Sequence, residues 1–133
     1  MGEGNARVKV LALDFGAART GVAVSDPTGT IARPLGVVER ASERGLDDLI
    51  ALVREHEPER VVVGMPLTLS GEHGEQARRT QEFVEKLRAR AGVPVETYDE
   101  RFTTTLAERG GGADAEAAAH LLSSYLDWSS VRR

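Results

Sequence analysis

Carboxylate side chains stand at the ends of predicted secondary-structure elements at three separate places in the chain. Asp14 closes an apolar strand, the pair Asp99 and Glu100 closes another, and Asp114 opens the last helix. Partial burial of an unpaired carboxylate costs several kcal/mol, so acidic groups at the ends of apolar strands indicate a chemical role. Since the crevice of an open α/β sheet lies beyond the carboxyl ends of its strands, the strand-end carboxylates are predicted to meet there, joined by Asp114 from the helix N-terminus.

Carboxylates brought together in this way would bind divalent cations. Two carboxylates about 4 Å apart repel by about 4 kcal/mol at an effective dielectric constant of about 20, so the cluster is predicted to be strained until cations neutralise it. The sequence has no cysteine, and an oxygen-only site suits Mg²⁺ or Mn²⁺. Two such ions can activate a water on one side of a phosphodiester and stabilise the leaving oxygen on the other. The pattern therefore predicts metal-dependent hydrolysis without a protein nucleophile.

Each of these acidic residues also has a purely structural interpretation. Asp14 can form a turn, Asp99 and Glu100 can form a surface ion pair with Arg101, and Asp114 stands where helix N-caps favour aspartate. Capping and metal binding can coexist at Asp114.

The three histidines are dispersed along the sequence and are interpreted as surface or helix-face residues rather than ligands: His56, His73 and His120.

The elements that must position these residues follow from hydrophobic periodicity and from turn residues. Five strands are predicted at Val8 to Asp14, Gly21 to Ser25, Thr30 to Val38, Arg60 to Gly64 and Val93 to Tyr98. Three helices are predicted. The first spans Leu46 to His56, the second follows the loop Ser70 to Gly74, and the third spans Asp114 to Trp128. An antiparallel beginning followed by crossover connections predicts an α/β fold, with a mixed five-stranded sheet and helices on both faces.

Length and composition fit one globular domain over residues 1–133, since domains cluster around 100 to about 150 residues. The first ten residues lack the apolar core of a signal peptide, and no run is long enough for a membrane helix, so we expect a cytoplasmic protein without a membrane partner.

The formal charge of −4 is not typical of a nucleic-acid-binding protein. However, 15 of the 17 basic residues are arginine, which binds phosphate in a bidentate fashion.

Four segments carry short motifs in a fixed order. The first, LALDFGAARTGVAVSDPTG, contains Asp14, Gly16, Arg19, Gly21 and Asp26. The others are VVVGMPLTLSGEHGEQA with Gly64, Pro66, Leu67 and Gly71, then YDERFTTTLA with Asp99, Glu100, Arg101, Thr103 and Thr104, and finally DAEAAAHLLSSYLD. Together they cover nearly the whole chain and resemble the YqgF/RuvX family of Holliday-junction resolvase-like, pre-16S rRNA processing enzymes.

The resemblance implies an RNase H-like fold, dependence on Mg²⁺ or Mn²⁺, and cleavage of structured nucleic acid, either pre-rRNA or a four-way DNA junction. It implies a catalytic, metal-binding triad of Asp14, Glu100 and Asp114, with Asp99 as the reserve candidate for the middle ligand. A homodimer would suit a junction with two strands to cut. Substrate-binding roles are implied for Arg19 and Arg101 at the scissile phosphate and, along the substrate, for Gly64, Pro66, Gly71 and Thr103.

One departure from the family pattern is a short segment, LAERGGGA, where relatives carry a longer and often basic stretch before the closing Asp114. The shortening could weaken junction binding, shift the preference towards RNA or displace Asp114. Two other functions remain open. Residues 14 to 21 also resemble the hairpin that binds ATP phosphate in sugar and acetate kinases of the actin-like superfamily. The second domain and the further phosphate and adenosine loops of those kinases are not found in this sequence. The other alternative is a non-catalytic nucleic-acid-binding or ribosome-associated RNase H-like module.

Overall fold

A computed structural model describes residues 9–16, 18–39, 44–66, 74–100 and 114–132. The strands are β1 (Val10–Phe15), β2 (Arg19–Ser25), β3 (Ala32–Glu39), β4 (Arg60–Met65) and β5 (Val95–Asp99). The helices are α1 (Arg44–His56), α2 (Glu75–Ala91) and α3 (Ala115–Arg132). The predicted order of strands and helices is confirmed, and the differences are confined to the ends of the elements.

The described strands form one mixed sheet in the order β3-β2-β1-β4-β5. The β1–β2 and β2–β3 pairs are antiparallel, whereas the β1–β4 and β4–β5 pairs are parallel. The mixed five-stranded sheet predicted from the sequence is therefore confirmed. Because β1, β4 and β5 run in the same direction, their carboxyl ends lie along one edge of the sheet, and β1 is the central strand.

Helices cover both faces of this sheet, as predicted. Residues of β1 alternate between the faces, since successive side chains of a strand point to opposite sides. Leu11, Leu13 and Phe15 pack with residues of α1 and α2, and this side is called the α1–α2 face. Val10 and Ala12 belong to a second cluster with Leu121, Leu122 and Tyr125 of α3, and this side is called the α3 face.

Helix α3 is capped at its start and is hydrogen-bonded to the sheet near its middle. At its start, the backbone N–H of Ala117 donates to Asp114 Oδ1 over 2.7 Å, so Asp114 caps the helix. Further along, Arg60 Nη1 donates to the Tyr125 hydroxyl over 2.8 Å, and that hydroxyl donates to Glu96 Oε1 over 2.9 Å. The two Tyr125 bonds join α3 to β4 and β5. In the part of the chain that the structure describes, no helix is long and apolar enough to cross a membrane.

Candidate active site

Asp14 lies on the α3 face, one residue before the end of the central strand, and is only 7% exposed. Its partner in the antiparallel β1–β2 ladder is Gly21. On the other side, Leu13 pairs with Val63 in the parallel β1–β4 ladder, which places Gly64 level with Asp14. The buried carboxylate therefore stands between two glycines, so side chains and backbone from elsewhere can approach it from either side.

Glu100 and Asp114 occupy the space above these two glycines. A Cβ atom built on Gly64 would be 2.6 Å from Glu100 Oε2 and 2.9 Å from Glu100 Cγ. A Cβ atom built on Gly21 would overlap the backbone carbonyl of Asp114 and lie 3.0 Å from its Cα. The structure thus brings Glu100 over β4 and Asp114 over β2, on either side of Asp14.

Burial and mutual repulsion perturb the carboxyl groups of this cluster. Burial, followed by the charge of Asp114, raises the pKa of Asp14 to about 6. Burial, followed by the charges of Asp14 and Asp99, raises the pKa of Glu100 to about 7. Asp14 therefore interacts electrostatically with both other members of the predicted triad. An all-oxygen set of donors under such repulsion has the chemistry that Mg²⁺ and Mn²⁺ bind.

The carboxylates are neighbours without forming a closed coordination shell. Among the residues that the structure describes, no group of three or more acidic or histidine side chains is arranged to hold one metal ion. Coordination of one ion by Asp14, Glu100 and Asp114 therefore remains a prediction that requires their side chains to rotate towards each other. Repulsion between unneutralised carboxylates acts against such an arrangement, and a bound cation would reverse it.

Strand alternation favours Glu100 over Asp99 as the middle member of the cluster. Asp99 pairs with Met65 and has the same parity in β5 as Val95, which belongs to the cluster on the α1–α2 face. Glu100 has the parity of Tyr98, which packs on the α3 face where Asp14 lies. Asp99 still contributes to the raised pKa of Glu100 through its charge.

The capping interpretation of Asp114 is correct, and it does not compete with a role in the cluster. Only Oδ1 accepts the bond from the Ala117 N–H, and the backbone of Asp114 lies next to Gly21. The shortened segment that precedes it lies outside the described residues. Even so, Asp114 is close enough to Asp14 for its charge to raise the pKa of that residue.

The other predicted site residues divide into two groups. Arg19 is exposed at the start of β2, Gly64 is buried in β4, and Pro66 follows β4. Their contacts with substrate stay predictions. The remaining three predicted substrate-binding residues lie outside the described part of the chain: Arg101, Gly71 and Thr103.

Asp26, the second aspartate of the first motif, has a structural role in the turn between β2 and β3. Its carboxylate accepts hydrogen bonds from the Thr28 hydroxyl over 2.7 Å and from the backbone N–H groups of Thr30 and Ile31. These donors lower the pKa of Asp26 to about 2, with the Ile31 bond contributing most. Asp26 lies at the opposite end of β2 from Gly21 and is separate from the carboxylate cluster.

Two residues near the site have roles that sequence reasoning missed. Gly21 was recognised only as part of a motif, although a glycine inside a strand often marks a close approach of another backbone. Gln76 in α2 donates from Nε2 to the carbonyl oxygen of Phe15 over 3.5 Å, next to Asp14. Nothing in the sequence around Gln76 indicates this contact, which depends on how α2 packs.

Known protein sequences include a family and relatives that are similar to this chain. The RuvX family, described as Holliday junction resolvase, matches residues 8–128 of the chain. A relative from Anaeromyxobacter sp. (strain Fw109-5) is 42% identical, over 90% of this chain and 97% of its own length. A relative from Chloroflexus aggregans is 43% identical, over 89% of this chain and 92% of its own length. Each of these two is named as a candidate pre-16S rRNA nuclease.

Solved structures confirm the predicted fold. The T. thermophilus RuvC in complex with Holliday junction substrate superposes with a TM-score of 0.61 at 19% identity, covering 94% of this chain and 96% of that one. A second Thermus thermophilus RuvC structure gives a TM-score of 0.52 at 21% identity, covering 92% of this chain and 97% of that one. At this identity the likeness concerns the fold, which is RNase H-like. Together with the match over residues 8–128, this shows that the chain belongs to the RuvX family.

Proposed function

We propose that the protein is a metal-dependent endonuclease that hydrolyses phosphodiester bonds in structured nucleic acid. The observation that carries the proposal is the arrangement of Glu100 and Asp114 on either side of the buried Asp14, at the carboxyl end of the central strand. The leading substrate is pre-16S rRNA, because relatives more than 40% identical are named for it, and the proposed cleavage lies in its 5′ region. A four-way DNA junction is the second substrate, as the family description suggests.

The cofactor in this proposal is Mg²⁺ or Mn²⁺, held by Asp14, Glu100 and Asp114 with Asp99 nearby. The donor set fits such ions, because it offers only oxygen ligands and neighbouring acidic groups add to the raised pKa of Asp14 and of Glu100. When bound, the cations would neutralise these carboxylates and provide positive charge at the attacking and leaving oxygens of a phosphodiester. The surrounding protein contributes a rigid and partly buried position for each ligand.

Each proposed ligand is held by a different element. Asp14 is fixed by the ladders on both sides of β1, and Gln76 binds the next carbonyl along that strand. Asp114 is fixed by its capping bond at the start of α3, and Glu100 follows directly after β5. Three independent anchors of this kind keep the carboxylates close despite their repulsion, so binding of a cation needs only side-chain rotation.

Substrate phosphate is assigned to arginine side chains beside the cluster. Arg19 is exposed at the start of β2, two residues before Gly21, and Gly21 is the ladder partner of Asp14. A guanidinium at this position can bind a phosphate oxygen in a bidentate manner. Arg101, which follows Glu100 directly in the sequence, is proposed as a second phosphate ligand.

Cleavage assays with a matched pair of variants test the function. Labelled fragments from the 5′ region of pre-16S rRNA and labelled four-way DNA junctions are incubated with the protein and Mn²⁺ or Mg²⁺. Cleavage is expected only with metal, and Asp14→Asn is expected to abolish it. Asp48→Asn is the matched control, since Asp48 is an exposed aspartate on α1, across the sheet from the site. Equal cleavage by wild type and Asp14→Asn would contradict the proposed active site.

The same assays separate the remaining alternatives. Preferential cleavage of the RNA fragment supports a role in rRNA maturation, and paired cuts in the junction support resolution. Binding of either substrate without cleavage under Mn²⁺ would instead support the non-catalytic module. Sedimentation of the protein with and without junction DNA tests the predicted homodimer. A cytoplasmic location, as predicted from the sequence, can be checked by fractionation.

A further inference from the structure

Gly21 and Gly64 lie on either side of Asp14, and the space next to each is filled by another member of the acidic cluster. We propose that both glycines are positioning residues of the site, because their missing side chains leave the space through which Asp114 and Glu100 reach Asp14. This inference deepens the proposed function and rests on it. It assigns Gly64 a role in placing a carboxylate and gives Gly21 a role that its motif alone does not define.

Space, and not backbone conformation, is the reason for glycine at these positions. Among the described residues, the glycines with positive φ are Gly29, Gly36 and Gly92, so neither Gly21 nor Gly64 belongs to this group. Both are inside regular strands, where glycine is less favourable than alanine because it loses more conformational freedom on folding. Since glycine has no conformational advantage in a regular strand, its presence there indicates that a neighbouring group occupies the space of a side chain.

At Gly21 the neighbour is backbone. A Cβ atom there would overlap the carbonyl carbon and oxygen of Asp114, and neither atom can move without moving the start of α3. That helix is also tied to the sheet by the bonds of Tyr125 with Arg60 and Glu96. Alanine at position 21 would therefore lift the N-terminus of α3 from β2, and Asp114 with it.

At Gly64 the neighbour is a side chain. A Cβ atom there would approach Glu100 at Oε2, Cγ and Cδ, over 2.6 to 3.1 Å. The end of a glutamate side chain can rotate away, so Gly64→Ala is expected to fold. The rotation would turn the carboxylate of Glu100 away from Asp14. The two positions thus differ: Gly21→Ala disturbs the helix and the site, whereas Gly64→Ala disturbs the site alone.

Mn²⁺-dependent thermal stabilisation measures this effect without any substrate. Wild type is expected to melt at a higher temperature as Mn²⁺ is added, since the ion binds only the folded state. For Gly64→Ala, we expect the Mn²⁺ concentration that gives half of the stabilisation to rise at least about 10-fold, the scale seen when residues that orient metal ligands are lost. Unchanged Mn²⁺ dependence in Gly64→Ala would overturn the inference.

Gly92→Ala is the matched control for a glycine substitution that affects only the backbone. Gly92 caps α2 with φ of 76°, and nothing lies within 4 Å of a Cβ built there. Alanine at this position is strained and should lower the melting temperature while leaving the Mn²⁺ dependence unchanged. A loss of Mn²⁺ response in Gly92→Ala equal to that in Gly64→Ala would show that the response follows general stability, against the inference.

Shortening Glu100 is expected to restore part of the Mn²⁺ binding that Gly64→Ala loses. A purely structural role of Gly64 predicts no such recovery. Glu100→Asp alone retracts the carboxylate by one methylene and should weaken Mn²⁺ binding. In the Gly64→Ala background, the shorter side chain removes the contacts at Oε2 and Cδ, so the double variant should bind Mn²⁺ more tightly than Gly64→Ala alone. Additive weakening in the double variant would contradict the steric account.

A double-mutant cycle in metal-free buffer keeps this inference separate from the proposed function. If Gly64 holds Glu100 close to Asp14, the effects of Gly64→Ala and Asp14→Asn on the unfolding free energy are coupled and not additive. Additive effects would overturn the inference even if the protein is a nuclease. Coupling in the cycle together with no cleavage and no Mn²⁺ binding in wild type would support the positioning role and reject the proposed function.

Discussion

The two faces of the sheet differ in the size and charge of the side chains that the central strands present to them. On the α1–α2 face, β1 contributes Leu11, Leu13 and Phe15, and all three are buried. On the α3 face, the same strand contributes the smaller Val10 and Ala12 and then Asp14. Alternation along one strand therefore separates residues that stabilise the fold from residues that form the proposed site.

This difference shows how a small domain can remain folded with a cluster of carboxylates at the end of its central strand. Burying a large apolar side chain stabilises the folded state by about 1.5 to 3 kcal/mol, and the α1–α2 face collects many of them. The α3 face retains its own apolar cluster around Tyr98, Leu121 and Tyr125. The end of this face near Gly21 and Gly64 is occupied by the cluster of Asp14, Glu100 and Asp114.

The largest expected effect is the loss of cleavage in Asp14→Asn, on the α3 face. The neutral amide is a weaker ligand for a divalent cation than a carboxylate, so we expect the cleavage rate to fall by at least about 100-fold, beyond the usual effect of losing an outer-shell partner. Rates measured at saturating Mn²⁺ on the preferred substrate check this. Near-normal cleavage would remove Asp14 from the proposed mechanism.

Its neighbour Leu13 is the opposite case, because its side chain is fully buried on the α1–α2 face. We expect Leu13→Ala to lower the unfolding free energy by about 2 to 5 kcal/mol, the range for large-to-small changes in a core. Denaturant unfolding measures the loss. Below the melting temperature the variant should still bind Mn²⁺; a folded Leu13→Ala that cannot bind it would show that the two faces are not separable.

Asp14→Asn should also change the stability of the metal-free protein, with a sign opposite to that of Leu13→Ala. Because the folded-state pKa of Asp14 is raised from 3.8 to about 6, the stability that this group contributes is present below pH 3.8 and is lost as the pH rises through about 6. At neutral pH, asparagine should therefore raise the unfolding free energy by roughly 1 to 3 kcal/mol.

Unfolding in the presence of a chelator at neutral pH, and again near pH 4, measures this pH dependence. The gain from Asp14→Asn should shrink as the pH falls towards 3.8, where Asp14 is protonated in the folded state and becomes so in the unfolded state as well. Asp48→Asn, on the exposed surface of α1, is the control. A variant that is less stable than wild type at neutral pH would contradict the repulsion attributed to the cluster.

A smaller effect is expected on the α1–α2 face at Thr20. Its side chain is 1% exposed, and its hydroxyl oxygen has no hydrogen-bond partner among the residues that the structure describes. Since a buried polar group without a partner costs about 1 to 3 kcal/mol, Thr20→Val should raise the unfolding free energy by about 1 kcal/mol. Thermal unfolding at one fixed pH checks this. A fall in stability would indicate that the hydroxyl has a role on this face.

The order of the elements could be predicted from the sequence because each has a clear hydrophobic period, but their ends depend on contacts that the period does not show. Strand β3 begins at Ala32 and not at Thr30, since the backbone N–H groups of Thr30 and Ile31 are bound by Asp26 in the turn. Strand β1 extends to Phe15, one residue beyond the prediction, because Phe15 pairs with Thr20 in the ladder.

The acidic residues of the site could be predicted from their places at the ends of elements, whereas their surroundings could not. The positions of Gly21 and Gly64 beside Asp14 depend on the lateral register of β2 and β4 against β1. That register follows from the packing of all three strands and is not encoded in any one segment. The preference for Glu100 over Asp99 likewise depends on which face α3 covers, and metal binding by either residue stays a prediction.

Diffraction from crystals soaked in Mn²⁺ tests the central claim most directly, because the anomalous signal locates the ion without reference to activity. The account predicts anomalous density on the α3 face, bounded by the carboxylates of Asp14, Glu100 and Asp114, and its absence in crystals of Asp14→Asn. Anomalous density only at other sites, with these three side chains still apart, would contradict it.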